Sequence, residues 1–131
     1  MLEKDYIMRL VREFGEALEL LLRKDVRKQS EEIRKMYDQY VGPYAFYHTA
    51  AIEDVMESFE QFPEGERLHR MEMLAELYYA EAGMTTGPVK TMLLDKALAL
   101  FSFVDSHDGT YDMTRIAKIG DLKLRLERAG E

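Results

Sequence analysis

Apolar residues recur at intervals of three and four along most of the chain, and no long stretch alternates apolar with polar residues. The first spacing places apolar side chains on one face of an α-helix, whereas alternation is typical of a half-buried strand. Pro43, Pro63 and Pro88, each next to or near a glycine, separate the periodic segments. We therefore predict an all-α fold of about six helices, at residues 4–23, 31–41, 46–61, 65–83, 88–105 and 110–128.

The boundary between the first two predicted helices is the least defined. Between residues 23 and 32 the only apolar residue is Val26, so the apolar stripe of the first helix is lost there. We predict a break in this gap, with Ser30 as the N-cap of the second helix because Glu31 and Glu32 follow it. One continuous helix as far as Val41 is the alternative.

Two of the predicted helices have more apolar surface than a single neighbour can cover. The helix at 88–105 is apolar over most of its circumference, which predicts that it is the most buried helix. The C-terminal helix has two apolar faces. We expect the first face to pack on helix 88–105; it consists of Met113, Ile116, Ala117, Gly120 and Leu124. The second face consists of Ile119, Leu122 and Leu126 and needs a cover, which is either the first helix, a second copy of the chain or another protein.

Composition limits the possible functions. A chain of 131 residues with 47% hydrophobic and 33% charged residues is typical of one globular domain, here residues 1–131. The absence of cysteine excludes disulfides, thiolate catalysis and cysteine-ligated metals, and it fits a reducing compartment. The start has no basic leader and the longest strongly apolar run is Leu20–Leu22, so we expect a cytoplasmic protein without a membrane span.

The charge distribution argues against a nucleic-acid partner. The formal net charge is −7, which opposes sequence-independent binding to phosphates. Residues 23–35 are a local exception, with six basic and three acidic side chains. We interpret this segment as a solvated helix junction; a phosphate-contacting patch is the alternative.

An aromatic segment, YDQYVGPYAFYHT at residues 37–49, poses the sharpest functional question. Tyr37 and Tyr40 share a helix face, and His48 lies on the apolar stripe of the following predicted helix, so their rings are expected to form a seam in the core. Tyr44 and Tyr47 are expected to be the more exposed members, and a ligand- or peptide-binding patch is the alternative interpretation. In the first turn of helix 46–61 the helix dipole would disfavour a charged His48, so we predict a neutral imidazole.

Two short motifs superficially suggest chemistry. Glu66 and His69 have the spacing found in di-iron helical bundles, but such sites need two copies and the chain has one, so we interpret them as part of a salt-bridged surface turn. The consecutive residues Ser106, His107 and Asp108 cannot converge as a hydrolase triad does. We predict no catalytic residue, no metal and no cofactor.

Part of the chain resembles a tetratricopeptide (TPR) hairpin. LAELYYAEAG (74–83) and DKALALFSFVD (95–105) carry the small and aromatic residues of such a repeat at Leu74, Ala75, Tyr78, Ala97 and Phe101. The linker is longer than in the repeat, and the repeat's period of about 34 residues does not recur. The opening DYIMRLVREFGEAL together with this hairpin also resembles a small, uncharacterised all-helical bacterial family, which implies a fold and no activity.

These observations favour a TPR-like layered bundle of antiparallel helical hairpins that acts as a non-enzymatic interaction module. Its partner would be a second copy, forming a homodimer, or another protein. The alternative is a helical sensor that binds a small molecule or peptide through the aromatic patch around Tyr44 and Tyr47.

Overall fold

The computed structural model describes residues 3–130 and shows an all-α protein, with no strand in that range. Seven α-helices are present between these residues, and two short 3₁₀ turns lie at Phe59–Gln61 and Glu64–Glu66. The helices are α1 (Glu3–Leu22), α2 (Val26–Tyr40), α3 (Tyr44–Thr49), α4 (Ile52–Ser58), α5 (Arg67–Ala82), α6 (Gly87–His107) and α7 (Met113–Ala129). The prediction of an all-helical fold is therefore confirmed.

The break between α1 and α2 lies earlier than the sequence suggested. Asp25, and not Ser30, is the N-cap of α2, and its carboxylate accepts a hydrogen bond of 3.2 Å from the backbone N–H of Lys28. The side chain of Gln29 donates to the carbonyls of Leu22 and Lys24, which the end of α1 leaves unpaired. The continuous-helix alternative is therefore wrong, because side chains cap the two helix ends separately.

The predicted helix at 46–61 is in fact two short helices and a 3₁₀ turn. Ala50 and Ala51, between α3 and α4, have extended backbone conformations. Lys96 of α6 donates hydrogen bonds to the carbonyls of Tyr47 (3.1 Å) and His48 (3.3 Å). In a continuous helix these carbonyls would accept hydrogen bonds from the N–H groups four residues later. Here Lys96, which belongs to another helix, provides the hydrogen bonds that the end of α3 lacks.

The most buried helix is α5, and the prediction that helix 88–105 holds this position is wrong. Nine of the sixteen residues of α5 are buried, against seven of the twenty-one residues of α6. α5 packs against α1, α2 and α6, and salt bridges from Glu72 and Glu76 join it to α7. The buried apolar residues of all these helices form one cluster. The apolar circumference of α6 correctly indicated a largely buried helix. However, α5 is the central helix, because it has more neighbouring helices.

Within the described part of the chain, no helix has both the length and the apolar character that crossing a membrane requires.

Candidate functional site

The two apolar faces of α7 are oriented opposite to the prediction. Leu122 is fully buried, and Ile119 and Leu126 are partly buried against the core. The other face is exposed: Met113 is 73% exposed, Leu124 46% and Ile116 37%. We call this face the outer stripe of α7; it consists of Met113, Ile116, Ala117, Gly120 and Leu124. The prediction that the outer stripe packs on the preceding helix is therefore wrong.

Buried charges determine this orientation. The side chain of Arg115, on the same side of α7 as Leu122, is 2% exposed, and its guanidinium contacts Glu72 (2.9 Å), Asp105 (3.1 Å) and Asp108 (3.3 Å). Burial opposes the charge, but the hydrogen bonds to Glu72 and Asp105 outweigh it and raise the pKa of Arg115. One turn further along α7, Lys118 pairs with Glu76 of α5 at 2.5 Å, on the same side.

A groove of about 420 Å³ lies between α1 and α7, and α5 forms its floor. We call it the α1–α7 groove. One wall is apolar and comes from α1, with Val11, Phe14, Gly15, Leu18 and Leu22. The remaining lining is polar, with Glu19, Glu72, Glu76, Asp112, Thr114, Arg115 and Lys118. Four carboxylates against two cations give the lining a net negative charge.

The α1–α7 groove is continuous with the outer stripe of α7. A neighbouring depression of about 410 Å³ is lined by Met113 and Ala117 of the outer stripe and by Tyr79 of α5. It shares Thr114 and Lys118 with the groove. One surface therefore combines a partly apolar groove with an exposed apolar ridge, and large exposed apolar surfaces on proteins commonly mark interaction sites.

The aromatic segment lies mostly inside the molecule. Tyr47 is 1% exposed, and its hydroxyl lies 2.9 Å from the Ser58 hydroxyl and accepts a hydrogen bond from Gln61. Tyr44 is partly buried, whereas Phe46 is 40% exposed. The expectation that Tyr47 is one of the exposed members is therefore wrong, because α3 turns this ring against the core and leaves Phe46 at the surface.

Around this segment the structure forms a buried polar network that the sequence did not reveal. Glu81 of α5 is 5% exposed, and its carboxylate accepts hydrogen bonds from the hydroxyls of Tyr37 (2.7 Å) and Tyr44 (2.5 Å). The Nδ1 atom of His48 lies 3.4 Å from the same carboxylate. Burial, followed by the proximity of Glu81, raises the pKa of the Tyr37 hydroxyl. The network joins α2, α3 and α5.

A sequence signal for such buried charges exists, although it was missed. Lys96 is 6% exposed and follows Met92 and Leu93 at the i−4 and i−3 positions, while Leu100 lies at i+4. A charged residue whose helical neighbours are nearly all apolar lies on the buried face and requires partners there.

His48 does not lie in the first turn of a long helix, as the sequence predicted. It lies in the last turn of α3. The helix-dipole reason for predicting a neutral imidazole therefore does not apply. The protonation state of His48 stays a prediction that nuclear magnetic resonance titration can test.

A second groove, of about 560 Å³, lies between the α3–α4 junction and α6. It is lined by Ala51, Ile52, Pro88, Thr91, Met92, Asp95, Lys96 and Ala99. Neither Tyr44 nor Tyr47 is among these residues, and the ammonium of Lys96 is occupied by backbone carbonyls. The aromatic patch of the sensor hypothesis and the groove are therefore separate features.

The motifs that suggested metal or hydrolase chemistry have structural roles. Glu66, predicted at the surface, is 6% exposed and pairs with Arg70 at 3.0 Å, which in turn donates to the carbonyl of Tyr40. Ser106 donates to backbone carbonyls of α6, and Asp108 contacts Arg115. Among the side chains of residues 4–130, no group of three or more histidines, aspartates or glutamates is arranged to hold a metal ion.

The basic segment 23–35 is partly neutralised by its own acidic residues. Lys24 pairs with Glu32 at 2.6 Å across the α1–α2 junction. The geometry fits the solvated-junction interpretation better than an open phosphate site, because a carboxylate already occupies this ammonium group.

Comparisons with protein-family models, with curated proteins and with solved structures find no match to this chain. The resemblances to TPR hairpins and to a bacterial family stay predictions.

Proposed function

We propose that this protein is a non-enzymatic interaction module that binds an amphipathic helix on the surface formed by α1, α5 and α7. The observation that carries the proposal is the outer stripe of α7, which is exposed and continuous with the α1–α7 groove. The absence of cysteine agrees with a cytoplasmic setting.

A helix suits this surface because its walls are themselves helices. Amphipathic helices bind in grooves of this kind by inserting side chains spaced at i, i+3, i+4 and i+7. The groove volume of about 420 Å³ is too small for a whole helix but can receive the side chains of one helix face. A TPR-like layout, which residues 74–105 resemble, supports the same class of function because helical repeats bind partners on concave surfaces.

The chemistry of the groove specifies the partner further. The α1 wall is apolar, and the carboxylates of Glu19, Glu72, Glu76 and Asp112 exceed the two cations of the lining. The bound helix should therefore present an apolar stripe flanked by lysine or arginine, so that its charges complement the groove.

A peptide titration tests this proposal. The probe is a synthetic peptide of about 20 residues, long enough to form a helix in water, with a leucine stripe and lysine flanks. We expect saturable binding in fluorescence anisotropy, with nuclear magnetic resonance shift changes on α1 and α7. The measurement is made at low protein concentration, so that any self-association does not compete.

The matched variants are Gly15→Gln and Glu53→Gln. Gly15 lines the groove, and apart from its chain neighbours and the adjacent backbone of α1, a Cβ atom at this position would meet no atom within 4 Å. We therefore expect the new side chain to enter the groove without disturbing the fold. We expect Gly15→Gln to weaken binding about tenfold, or roughly 1.4 kcal/mol. Glu53→Gln changes an exposed residue of α4 and should have no effect. An absence of saturable binding, or shift changes centred on the groove beside α6, would contradict the proposal.

A further inference from the structure

We infer that the helix that occupies the α1–α7 groove is α7 of a second copy, in a two-fold dimer where the outer stripe of each copy enters the groove of the other. This inference rests on the proposed function and names the partner. It assigns the exposed face of α7 and the groove beside it to one symmetric interface.

The position of the two features favours a second copy. The groove shares Thr114 and Lys118 with the neighbouring depression, and Met113 and Ala117 of the outer stripe line that depression. The ridge and the groove therefore lie side by side on one surface. A two-fold interface brings the same patch of both copies together, so a ridge beside a groove is self-complementary when one copy is rotated onto the other.

The two features also match in length. The outer stripe extends from Met113 to Leu124, and the α1 wall of the groove extends from Val11 to Leu22. Each interval is eleven residue steps of about 1.5 Å, or roughly 16 Å. The apolar ridge of one copy can therefore contact the apolar wall of the other along its whole length.

Two glycines supply an independent argument. Gly120 lies at the middle of the outer stripe and Gly15 at the middle of the α1 wall, both inside helices, where glycine is unfavourable. At either position an added Cβ atom would meet no atom within 4 Å apart from the chain neighbours and the adjacent backbone of its own helix, so packing inside one copy does not require glycine. The two glycines are explained if a helix of another copy approaches closely at these points. The side chains at a contact set the distance between two helix axes, and glycine allows the shortest distance.

Charge supports the same partner. The net charge of −7 makes two copies repel each other in general. α7 is the exception. Its cations Arg115, Lys118 and Arg125 are paired with carboxylates, which leaves Lys123 and Arg128 against the single acid Glu127. Lys123 and Arg128 flank the outer stripe on opposite sides. These two cations would meet the negatively charged groove of the other copy, which lowers the repulsion at this surface.

Sedimentation equilibrium of the wild type and Gly120→Gln is the decisive test. We expect the wild type to have twice the monomer mass of 15.3 kDa and Gly120→Gln to remain monomeric at the same concentration. Because glutamine is a better helix former than glycine, the variant should melt no lower than the wild-type monomer, measured at high dilution. Loss of the dimer together with retained monomer stability separates an interface role from a folding defect. Glu57→Gln, an exposed change on α4, is the control and should leave the mass unchanged.

Disulfide cross-linking locates the interface. The chain has no cysteine, so Gly15→Cys and Gly120→Cys each introduce one thiol, and a disulfide between these two positions in an equimolar mixture of the variants must join two copies. We expect the mixture to form this mixed disulfide on mild oxidation, since the outer stripe of one copy faces the α1 wall of the other and a disulfide needs Cα atoms within about 7 Å. Glu57→Cys should not cross-link.

Three results would overturn the inference. They are a wild type that stays monomeric at millimolar concentration, a dimer insensitive to both Gly120→Gln and Gly15→Gln, and a dimer in which positions 15 and 120 do not cross-link. The peptide titration separates this failure from failure of the proposed function. If the wild type is monomeric but still binds the helical peptide in a Gly15-dependent manner, the proposed interaction module stands and the dimer inference is wrong. If the wild type is monomeric and binds no peptide, both the proposed function and the dimer inference are wrong.

Discussion

Arg115 should be the polar side chain whose removal costs this fold the most, and Arg115→Met tests this. Its side chain is 2% exposed and contacts Glu72, Asp105 and Asp108, whose side chains are 30%, 35% and 29% exposed. Methionine keeps the apolar stem and removes every hydrogen-bond donor of the guanidinium. The change therefore removes the ion pairs that join Arg115 to α5, α6 and the loop between α6 and α7, while the pair between Lys118 and Glu76 stays.

The expected cost follows from the exposure of the charges left behind. Removing one partner of a buried ion pair costs about 3–5 kcal/mol when the remaining charge stays buried. Here the remaining carboxylates are about one-third exposed and can be hydrated, so we expect a loss of about 2–4 kcal/mol in the free energy of unfolding. Urea denaturation with linear extrapolation measures this loss. Arg23→Met removes a largely exposed pair with Glu19 and should cost less than about 0.5 kcal/mol.

The dependence on pH provides a second, independent readout. The hydrogen bond from Thr110 and the contact with Arg115 hold the pKa of Asp108 below its ordinary value of 3.8. A carboxyl group with a lowered pKa in the folded state contributes stability above that ordinary value, and the contribution is lost as pH falls through the lowered pKa. The difference between wild type and Arg115→Met should therefore shrink in acid. A cost below about 1 kcal/mol at pH 7, or a cost unchanged in acid, would refute this reasoning.

Three further predictions concern the core, a connection and the tyrosines. Leu93→Ala, at a fully buried position of α6, should lower the free energy of unfolding by about 2–5 kcal/mol. Val89→Ala, at an exposed position of the same helix, should have a small effect. A cost well below about 1 kcal/mol for Leu93→Ala would contradict the packing of α6. Limited proteolysis should cleave first in the glycine- and threonine-rich segment 83–88, which connects α5 to the start of α6. First cleavage within 37–49 would instead indicate an open aromatic segment. Burial and the hydrogen bond to Asp121 raise the pKa of Tyr79 from 10.0 to about 12. The contribution of Tyr79 to stability is therefore complete below pH 10 and is lost as the pH rises from 10 to 12. Thermal melts followed by circular dichroism should show the melting temperature falling in that range.

Local sequence determined the helices themselves and most of their ends. The 3.6-residue period identified α1, α5, α6 and α7 to within a few residues, because each helix has an apolar face that a strand could not present on one side. The segment Gly42–Pro43 ended α2 as expected, since proline cannot continue a helix. The presence of two apolar faces on α7 was also readable from spacing alone.

Tertiary contacts decided what spacing could not. The apolar stripe of His48, Ile52, Val55 and Phe59 fits one helix, yet Lys96, almost fifty residues away, takes up the carbonyls at which that helix is interrupted. The burial of Glu81 likewise depends on hydroxyls from α2 and α3. Such partners are separated along the chain, and no local window contains them.

The orientation of α7 shows the physical reason most clearly. Its two faces are both apolar, so the hydrophobic effect alone does not choose between them. The sequence predicted that the face from Met113 to Leu124 packs on the preceding helix. The structure instead buries the face that carries Arg115 and Lys118, because α5 and α6 supply Glu72, Asp105 and Glu76 opposite them. A charge is buried only where its partners are already in place. The sequence by itself could therefore determine that α7 has two apolar faces, while only the assembled neighbours decided which face meets the core and which is exposed.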